Sequence, residues 1–549
     1  MLTGFSKFIK KLNIKSAHLI ILLTLYFGII LNLSLWRFVL NHIELNFSGI
    51  LFLSSFILLV LSLLYIVFNI IVLPYIAKPL ITILLLISGG TNFLMFRFGA
   101  YIDVDMLRNT FETTAREASD FFTIPFVLVF ALTGVLPALL LIFSNIKYDS
   151  LQKEIKRRSI FSIAFLLLSV ILSLFVYKDY ASFMRNNREF RKLVNPSNYI
   201  YATFRYIESI YKVEKQLVHI DEEAVHTPYK DDLVTVIIFI VGETARAKNF
   251  SLYGYEKETN PLLVKQDIIA FKEVGACGTS TAVSVPCMFS DKTRKDFNVG
   301  EAKYTENLID LAKQSGYDII WLENDDGCKG VCERVYTENM KETGNQKYCD
   351  DRYCKDEVLI YDLEDRLKKI KKDTFLILHT MGSHGPSYYR RYPDEFKKFT
   401  PTCDTADIQK CSQEEIVNTY DNTIAYTDYI ISSTIDTLSK FPFESGVMYV
   451  SDHGESLGEN NLYLHSLPYT IAPKEQLQVP MILWMSENMK MWDYIDYDCV
   501  KKEAETKVYS HDNIFHSIIG LLEIKSKLYD KNYDIFSSCR TKELIGYTE

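Results

Sequence analysis

No cysteine precedes Cys277 in this 549-residue chain, and all ten cysteines lie between Cys277 and Cys539. Disulfides persist in oxidising compartments, so the second half of the chain is expected in one. The C-x2-C spacing usual in structural zinc sites is absent as well, which excludes a zinc-ribbon type of cluster. The close pairs Cys277 with Cys287, Cys328 with Cys332, Cys349 with Cys354 and Cys403 with Cys411 read as local loop staples. Cys499 and Cys539 are left to pair over a longer loop. There is no internal repeat and no low-complexity tract, which excludes a solenoid or a largely disordered scaffold.

Long apolar runs are missing after residue 177 but dense before it, at about 18–36, 49–73, 79–99, 124–144 and 159–177. Each approaches or exceeds the roughly 20 residues that cross a bilayer. As buried helices of a soluble protein they would need amphipathic partners, and so dense a set leaves none. More than one domain is expected at this length: five transmembrane helices over 1–177, interfacial linker helices over 178–231, and a soluble domain over 232–549.

Orientation follows from basic flanks. Lys7, Lys10, Lys11 and Lys15 precede the first run, and Lys147, Lys153, Lys156, Arg157 and Arg158 separate the fourth from the fifth. Both flanks are expected in the cytoplasm. Five spans then place everything after Tyr177 across the membrane, which for a bacterial inner membrane is the periplasm. The first run is too long for a cleaved signal peptide.

Between the third and fourth runs the polar loop 101–120 carries Asn109, Thr113 and Glu117. At i, i+4 and i+8 they would share one helix face, at the depth of a lipid headgroup. The stretch 178–231 mixes Arg185, Arg188, Arg191 and Lys192 with Tyr180, Phe183, Phe190, Tyr199, Tyr201 and Tyr206, as helices lying on a membrane surface do.

Leu233 to Val241 is a continuous apolar, β-branched run, the pattern of a strand buried on both faces. Tyr317 to Leu322, Thr374 to His379 and Gly446 to Val450 have the same form, with helical periodicity in Thr305 to Gln314 and Asp356 to Lys368. An α/β domain with a mostly parallel sheet follows. Ligands of such sheets bind beyond the carboxyl ends of the strands. Those ends supply Glu243, then His379 and His384, then Asp452, His453 and Glu455, followed by His465.

Thr281 lies between Cys277 and Cys287 where a helix begins. A threonine there is expected as the N-cap, with its hydroxyl where helix N–H groups favour an anion such as phosphate. Glu243, Asp452, His453 and the Thr281 oxygen form a donor set of the N,O type that Zn2+ takes. His384 and His465 remain for a second metal or a substrate phosphate.

The segments Val241-Gly-Glu-Thr-Ala-Arg246, Cys277-Gly-Thr-Ser-Thr-Ala-Val-Ser-Val-Pro-Cys-Met-Phe-Ser290, His379-Thr-Met-Gly-Ser-His-Gly-Pro386 and Ser451-Asp-His-Gly-Glu-Ser-Leu-Gly-Glu-Asn460 together resemble the lipid A phosphoethanolamine transferases, including the mobile colistin-resistance enzymes. These belong to the alkaline phosphatase and sulfatase superfamily. The resemblance runs over nearly the whole chain. It implies an alkaline-phosphatase-like periplasmic catalytic domain behind five membrane helices, with Thr281 as phosphoryl-accepting nucleophile and Glu243, Asp452 and His453 as ligands of one tightly bound Zn2+. A second ion is left open. The resemblance gives His384, His465, Lys329, Glu455 and His379 to that second metal or to the substrate phosphate. Asn109, Thr113 and Glu117 are expected to hold the ethanolamine end.

The implied reaction moves phosphoethanolamine from phosphatidylethanolamine to lipid A or another lipopolysaccharide phosphate through a Thr281 ester. It would lower the surface negative charge that binds polymyxin and other cationic peptides. A membrane-anchored phosphoglycerol transferase, phosphodiesterase or sulfatase is the alternative, although the C-x-P-x-R signature of formylglycine sulfatases is absent. A monomer with no nucleic-acid partner is expected. The segment 341–353 looks individual to this chain and receives no role.

Overall fold

A computed structural model describes residues 13–211, 216–229, 233–350, 352–492 and 494–544. It divides into two compact units, Met1–Leu107 with Phe122–Tyr206, and Arg108–Phe121 with Ile207–Glu549. In chain order the helices are α1 (Ser16–Leu25), α2 (Leu33–Asn41), α3 (Phe47–Ile71), α4 (Ala77–Phe98), α5 (Val104–Glu112), α6 (Ala115–Asp120), α7 (Ile124–Phe143, with an internal π-turn), α8 (Leu151–Phe175), α9 (Tyr177–Asn186) and α10 (Ser197–Tyr211).

Among the described residues, α3, α4, α7 and α8 are long and apolar enough to cross a membrane by themselves. The first run does not form the continuous helix expected over 18–36. Instead α1 and α2 meet at a 49° bend, and the count reaches five when the pair is one span. The bend frees backbone carbonyls that lipid cannot satisfy, and side chains take them up. Asn32 Nδ2 donates to Phe27 O (2.8 Å), Trp36 Nε1 to Gly28 O (2.7 Å) and Asn195 Nδ2 to Leu31 O (2.7 Å). Elsewhere α4 and α7 approach so closely that a Cβ on Gly89 would lie 2.8 Å from Gly134 Cα. Small residues at such a crossing let two helices pack backbone to backbone.

The loop expected to present one helical face is two helices, since the chain leaves helical geometry at Thr113 and Thr114 between α5 and α6. Thr113 ends the first by turning its hydroxyl onto the Asn109 carbonyl (2.7 Å), the back-bonding that competes with helix continuation. Asn109 and Thr113 therefore share a turn, and the side chain of Glu117 lies outside the described residues.

The second unit is built on a seven-stranded sheet of β1 (Thr235–Gly242), β2 (Ile269–Phe271), β3 (Asp318–Glu323), β4 (Tyr336–Asn339), β5 (Thr374–His379), β6 (Glu444–Ser451) and β7 (Met481–Met485). Its order is β2-β7-β6-β1-β5-β3-β4, and only β7 runs antiparallel to its neighbours. The central strands β5 and β6 are buried along their whole length and β1 along all but Thr235, as apolar strands covered on both faces must be. The helices that accompany the sheet in chain order include α11 (Thr281–Met288), α12 (Leu308–Gln314), α13 (Leu363–Leu367) and the long α14 (Gln413–Leu438).

The helix expected over 356–368 is instead a 3-10 turn at Asp356–Leu359 followed by α13. The Asp356 carboxylate is used elsewhere, accepting from Met381 N (2.8 Å) and Gly382 N (2.9 Å). That tertiary demand outweighs the modest propensity of one short segment. Five disulfides join Cys277 to Cys287, Cys328 to Cys332, Cys349 to Cys354, Cys403 to Cys411 and Cys499 to Cys539.

Candidate active site

Four chain segments converge at the carboxyl edge of the sheet. Strand β1 ends by delivering Glu243, and the chain turns at once because Thr244 adopts a left-handed φ of 60°. Tyr420 of α14 holds this turn from behind, donating to Thr244 O (2.7 Å) while Arg246 N donates to its hydroxyl (2.9 Å). Neighbouring β6 delivers Asp452 and His453, tied to the first turn by Asp452 N donating to Gly242 O (2.8 Å) and Thr244 N to Asp452 Oδ1 (3.0 Å).

Thr281 opens α11, but the N-cap is Ser280 and Thr281 is the first helical residue. The shift of one position matters, because Thr281 Oγ1 is then free to donate to Glu243 Oε2 at 3.1 Å. The loop before it is fixed three ways besides the Cys277–Cys287 bridge. Cys277 N donates to His511 Nδ1 (3.1 Å), Gly278 N to Ser284 Oγ (2.8 Å) and Thr279 Oγ1 to Leu467 O (2.6 Å).

Glu243, Asp452 and His453 are fully buried and Thr281 nearly so. His453 Nδ1 faces the Gly454 carbonyl at 2.9 Å and so carries the ring proton, which leaves a lone pair on Nε2. That atom lies 3.3 Å from Asp452 Oδ2 and 3.7 Å from Glu243 Oε1. Neither Nε2 nor Asp452 Oδ2 has a hydrogen-bond partner. Buried acceptors aimed at one another are costly unless a cation lies between them, and the three ligand atoms lie within 4.8 Å of one another.

The electrostatics agree. Burial, with Asp452 adding to it, pushes Glu243 up to about 8. Burial raises Asp452 to about 6, and burial with His465 nearby lowers His453 to about 4. Carboxylates held near neutrality beside a neutral imidazole are what a metal site looks like to a proton; a bound cation reverses the carboxylate shifts.

His465 Nδ1 approaches Glu455 Oε1 at 3.3 Å, and Tyr388 donates to Glu455 Oε2 at 3.0 Å. Burial pushes Glu455 up to about 8. The His384 and His465 rings lie 5.6 Å apart, and those of His453 and His465 4.5 Å apart. Lys329 sits on the Cys328–Cys332 loop at a left-handed φ of 53° and donates to the Asp326 carbonyl at 3.0 Å. From the α5 turn, Asn109 Nδ2 reaches Ser466 Oγ at 3.5 Å, one residue from His465.

The structure adds residues that the sequence reading missed. Asp356 clamps the His379–His384 loop through two backbone N–H groups. Asp325 lies at the end of β3 beside His379, and Glu323 holds the other nitrogen of that ring at 2.9 Å. The Glu-Asn-Asp-Asp run after an apolar strand carried the signal, since a strand end in such a sheet is where ligands gather.

Comparisons with known proteins cover both units. A Sulfatase family model matches residues 235–524, and a model described as Phosphoethanolamine transferase EptA/EptB matches residues 60–211. The chain is 39% identical over 541 residues to the phosphoethanolamine transferase EptA of Escherichia coli strain K12, covering 97% of this chain and 99% of that one. It is 34% identical over 465 residues to the phosphatidylethanolamine transferase Mcr-1 of Escherichia coli, covering 82% and 84%. The solved structure of the integral membrane lipooligosaccharide phosphoethanolamine transferase A from Neisseria meningitidis superposes with a TM-score of 0.94 at 39% identity, over 97% of this chain and all of that one. A sulfatase-type sheet joined to this membrane unit, matched end to end by single relatives, assigns the chain to one family: it belongs to the phosphoethanolamine transferases.

Proposed function

We propose that this protein sits in a bacterial inner membrane and uses Thr281, on the periplasmic side, to move phosphoethanolamine from phosphatidylethanolamine onto a phosphate of lipid A. Relatives named for lipid A, lipooligosaccharide and phosphatidylethanolamine support the acceptor and donor classes. The observation that carries the reading is the 3.1 Å contact from the Thr281 hydroxyl to Glu243, inside a buried set of N and O donors with unsatisfied lone pairs.

Glu243, Asp452 and His453 would hold the ion, and zinc suits this set. When bound, zinc supplies a Lewis acid that lowers the pKa of the Thr281 hydroxyl. The hydroxyl proton is directed at Glu243 Oε2. Thr281 Oγ1 forms a bond to phosphorus as the bond from phosphorus to the diacylglycerol oxygen breaks, leaving a phosphoethanolamine ester on Thr281. Glu455, kept protonated near neutral pH by burial, can pass a proton through His465 to the departing oxygen. The first-turn N–H groups of α11 and Lys329 face the charge that develops on phosphorus oxygens. A lipid A phosphate then attacks the ester, restoring Thr281. Asn109 and Thr113 would receive the ethanolamine end. The product carries an added amine, which reduces attraction for polymyxin.

The test is peptide mass spectrometry of the purified chain after incubation with phosphatidylethanolamine alone, with no acceptor to discharge the intermediate. The expected result is a phosphoethanolamine adduct on Thr281, absent in Thr281→Ala and present at reduced level in Thr281→Ser. An unmodified Thr281, with Thr281→Ala still modifying lipid A in cells, would refute the nucleophile assignment.

A further inference from the structure

A second set of buried donors lies on the other side of Glu243, away from Asp452 and His453. Adjacent strands β1, β5 and β3 each deliver one of them at or just beyond the carboxyl end: Glu243, His379 and Asp325. All three are buried, with His379 and Glu243 at 0% exposure, and their ligand atoms lie within 4.8 Å of one another.

The histidine is already dressed as a ligand. Glu323 Oε2 lies 2.9 Å from His379 Nδ1 and accepts from Trp321 Nε1 at 2.9 Å. A carboxylate there places the ring proton on Nδ1 and turns the Nε2 lone pair inward, the arrangement by which outer carboxylates orient metal-bound imidazoles. Nε2 points toward Asp325 Oδ2, 3.9 Å away, and has no hydrogen-bond partner. That gap is too long for a hydrogen bond and suits an ion seated between the two atoms at roughly 2.0–2.2 Å from each.

Charge points the same way. Glu243, Asp452, Asp325 and Glu323 bring four carboxylates into one buried cluster whose histidines are neutral when they act as ligands. With one divalent ion and a neutral His379 this cluster is doubly negative before any phosphate arrives; against the effect of burial, Glu323, Asp325 and Glu243 push His379 up to about 9, so a ring proton offsets part of that charge when no second ion does. A second divalent ion neutralises it.

We propose that Glu243, Asp325 and His379 bind a second divalent cation, so that Glu243 bridges two ions. Two carboxylate oxygens and one imidazole nitrogen fit a first-row ion such as Zn2+ or Mn2+. The site is separate from His384 and His465, and it does not depend on Thr281 being the nucleophile. Its ion would fix the Glu243 carboxylate that accepts from Thr281. Asp325 and His379 are thus positioning residues that act through Glu243.

The experiment uses the full-length protein in detergent, stripped with chelator, reloaded with Zn2+ or with Mn2+ alone, and assayed for bound metal by mass spectrometry. Wild type is expected to hold two tight ions per chain. Asp325→Asn, which keeps the shape, should hold one, and so should Asp452→Asn, which removes the other. Anomalous diffraction of the zinc-loaded wild type should show a peak between His379 Nε2 and Asp325 Oδ2, and this reads the site even if a variant misfolds. One ion per wild-type chain would overturn the proposal and leave a proton on His379 as the neutralising group. So would two ions whose number is unchanged in Asp325→Asn but falls in His384→Ala. Failure of Asp452→Asn to lose an ion would count against the first metal set and leave this one standing.

Discussion

Gly382 is the residue through which the His379–His384 loop rests on Glu243, and replacing it with alanine tests whether backbone placement of that glutamate governs the site. Its φ is +49°, and an added Cβ would lie 2.5 Å from Glu243 O, 3.0 Å from Glu243 N and 3.2 Å from Glu243 Cβ. The loop cannot retreat easily, because Gly382 N donates to Asp356 Oδ2 (2.9 Å) and Ser383 N to Glu243 O (2.9 Å). A side chain at left-handed φ costs about 1–2 kcal/mol. Forcing a methyl group into packed backbone costs about 1–3 kcal/mol more. Gly344→Ala is the matched control, since Gly344 also has positive φ (+67°) but open space around it, and it should show only the first cost. The expected loss for Gly382→Ala is therefore about 2–5 kcal/mol against about 1–2 for Gly344→Ala. Relief of the clash must move the Glu243 backbone by about 1 Å, a displacement that can lower a rate about 100-fold. Denaturant unfolding of the catalytic unit in the full chain, metal retention and transfer rate measure the three effects. Equal unfolding losses in the two variants, with Gly382→Ala keeping its metal and rate, would refute the reasoning.

Replacing Cys277 and Cys287 together with alanine opens a staple of sequence separation 10, which should cost about 3 kcal/mol of stability by the chain-entropy account. Transfer should fall more than metal content, because the loop holds Thr281 while the proposed ligands Glu243, Asp452 and His453 follow the ends of β1 and β6; equal loss of both would contradict that division. Asp428 is pushed up to about 6 from 3.8 by burial, against donation from Leu262 N and Leu263 N. An acid whose folded pKa is raised binds its proton more tightly in the folded state, so this stabilisation is present below pH 4 and is lost as pH rises through 6. Wild type should therefore lose melting temperature relative to Asp428→Asn as pH rises across that window; a constant or opposite difference between them would show that Asp428 does not titrate there as stated. A reporter active only in the cytoplasm should be silent when fused after Glu549, and activity there would defeat the assigned topology.

Run length and residue type made much of this protein readable. Four spans follow directly from apolar length, since a helix in lipid must satisfy its own backbone over a fixed thickness. Strands β1, β3, β5 and β6 follow from continuous apolar, β-branched runs, because a parallel strand covered on both faces has no polar face to display. Short cysteine loops point to their own partners. Ligand-type residues at strand ends mark the candidate catalytic edge, because every parallel strand discharges its chain at the same side of the sheet.

Tertiary structure decided what depends on groups far apart in sequence. The break in the first span is tolerated because Asn195, from beyond the last span, caps Leu31 O. The stretch after Lys355 fails to become one helix because Asp356 is recruited by the His379–His384 loop. Thr281 stands one place inside its helix rather than at the cap, a boundary that local propensity leaves open by a residue or two. The pairing of Asp325 with His379 required the spatial order β1-β5-β3, which no local pattern records. Periodicity reports which side of an element is buried; only packing determines which buried groups meet, because the energy that selects their partners resides in contacts between distant segments.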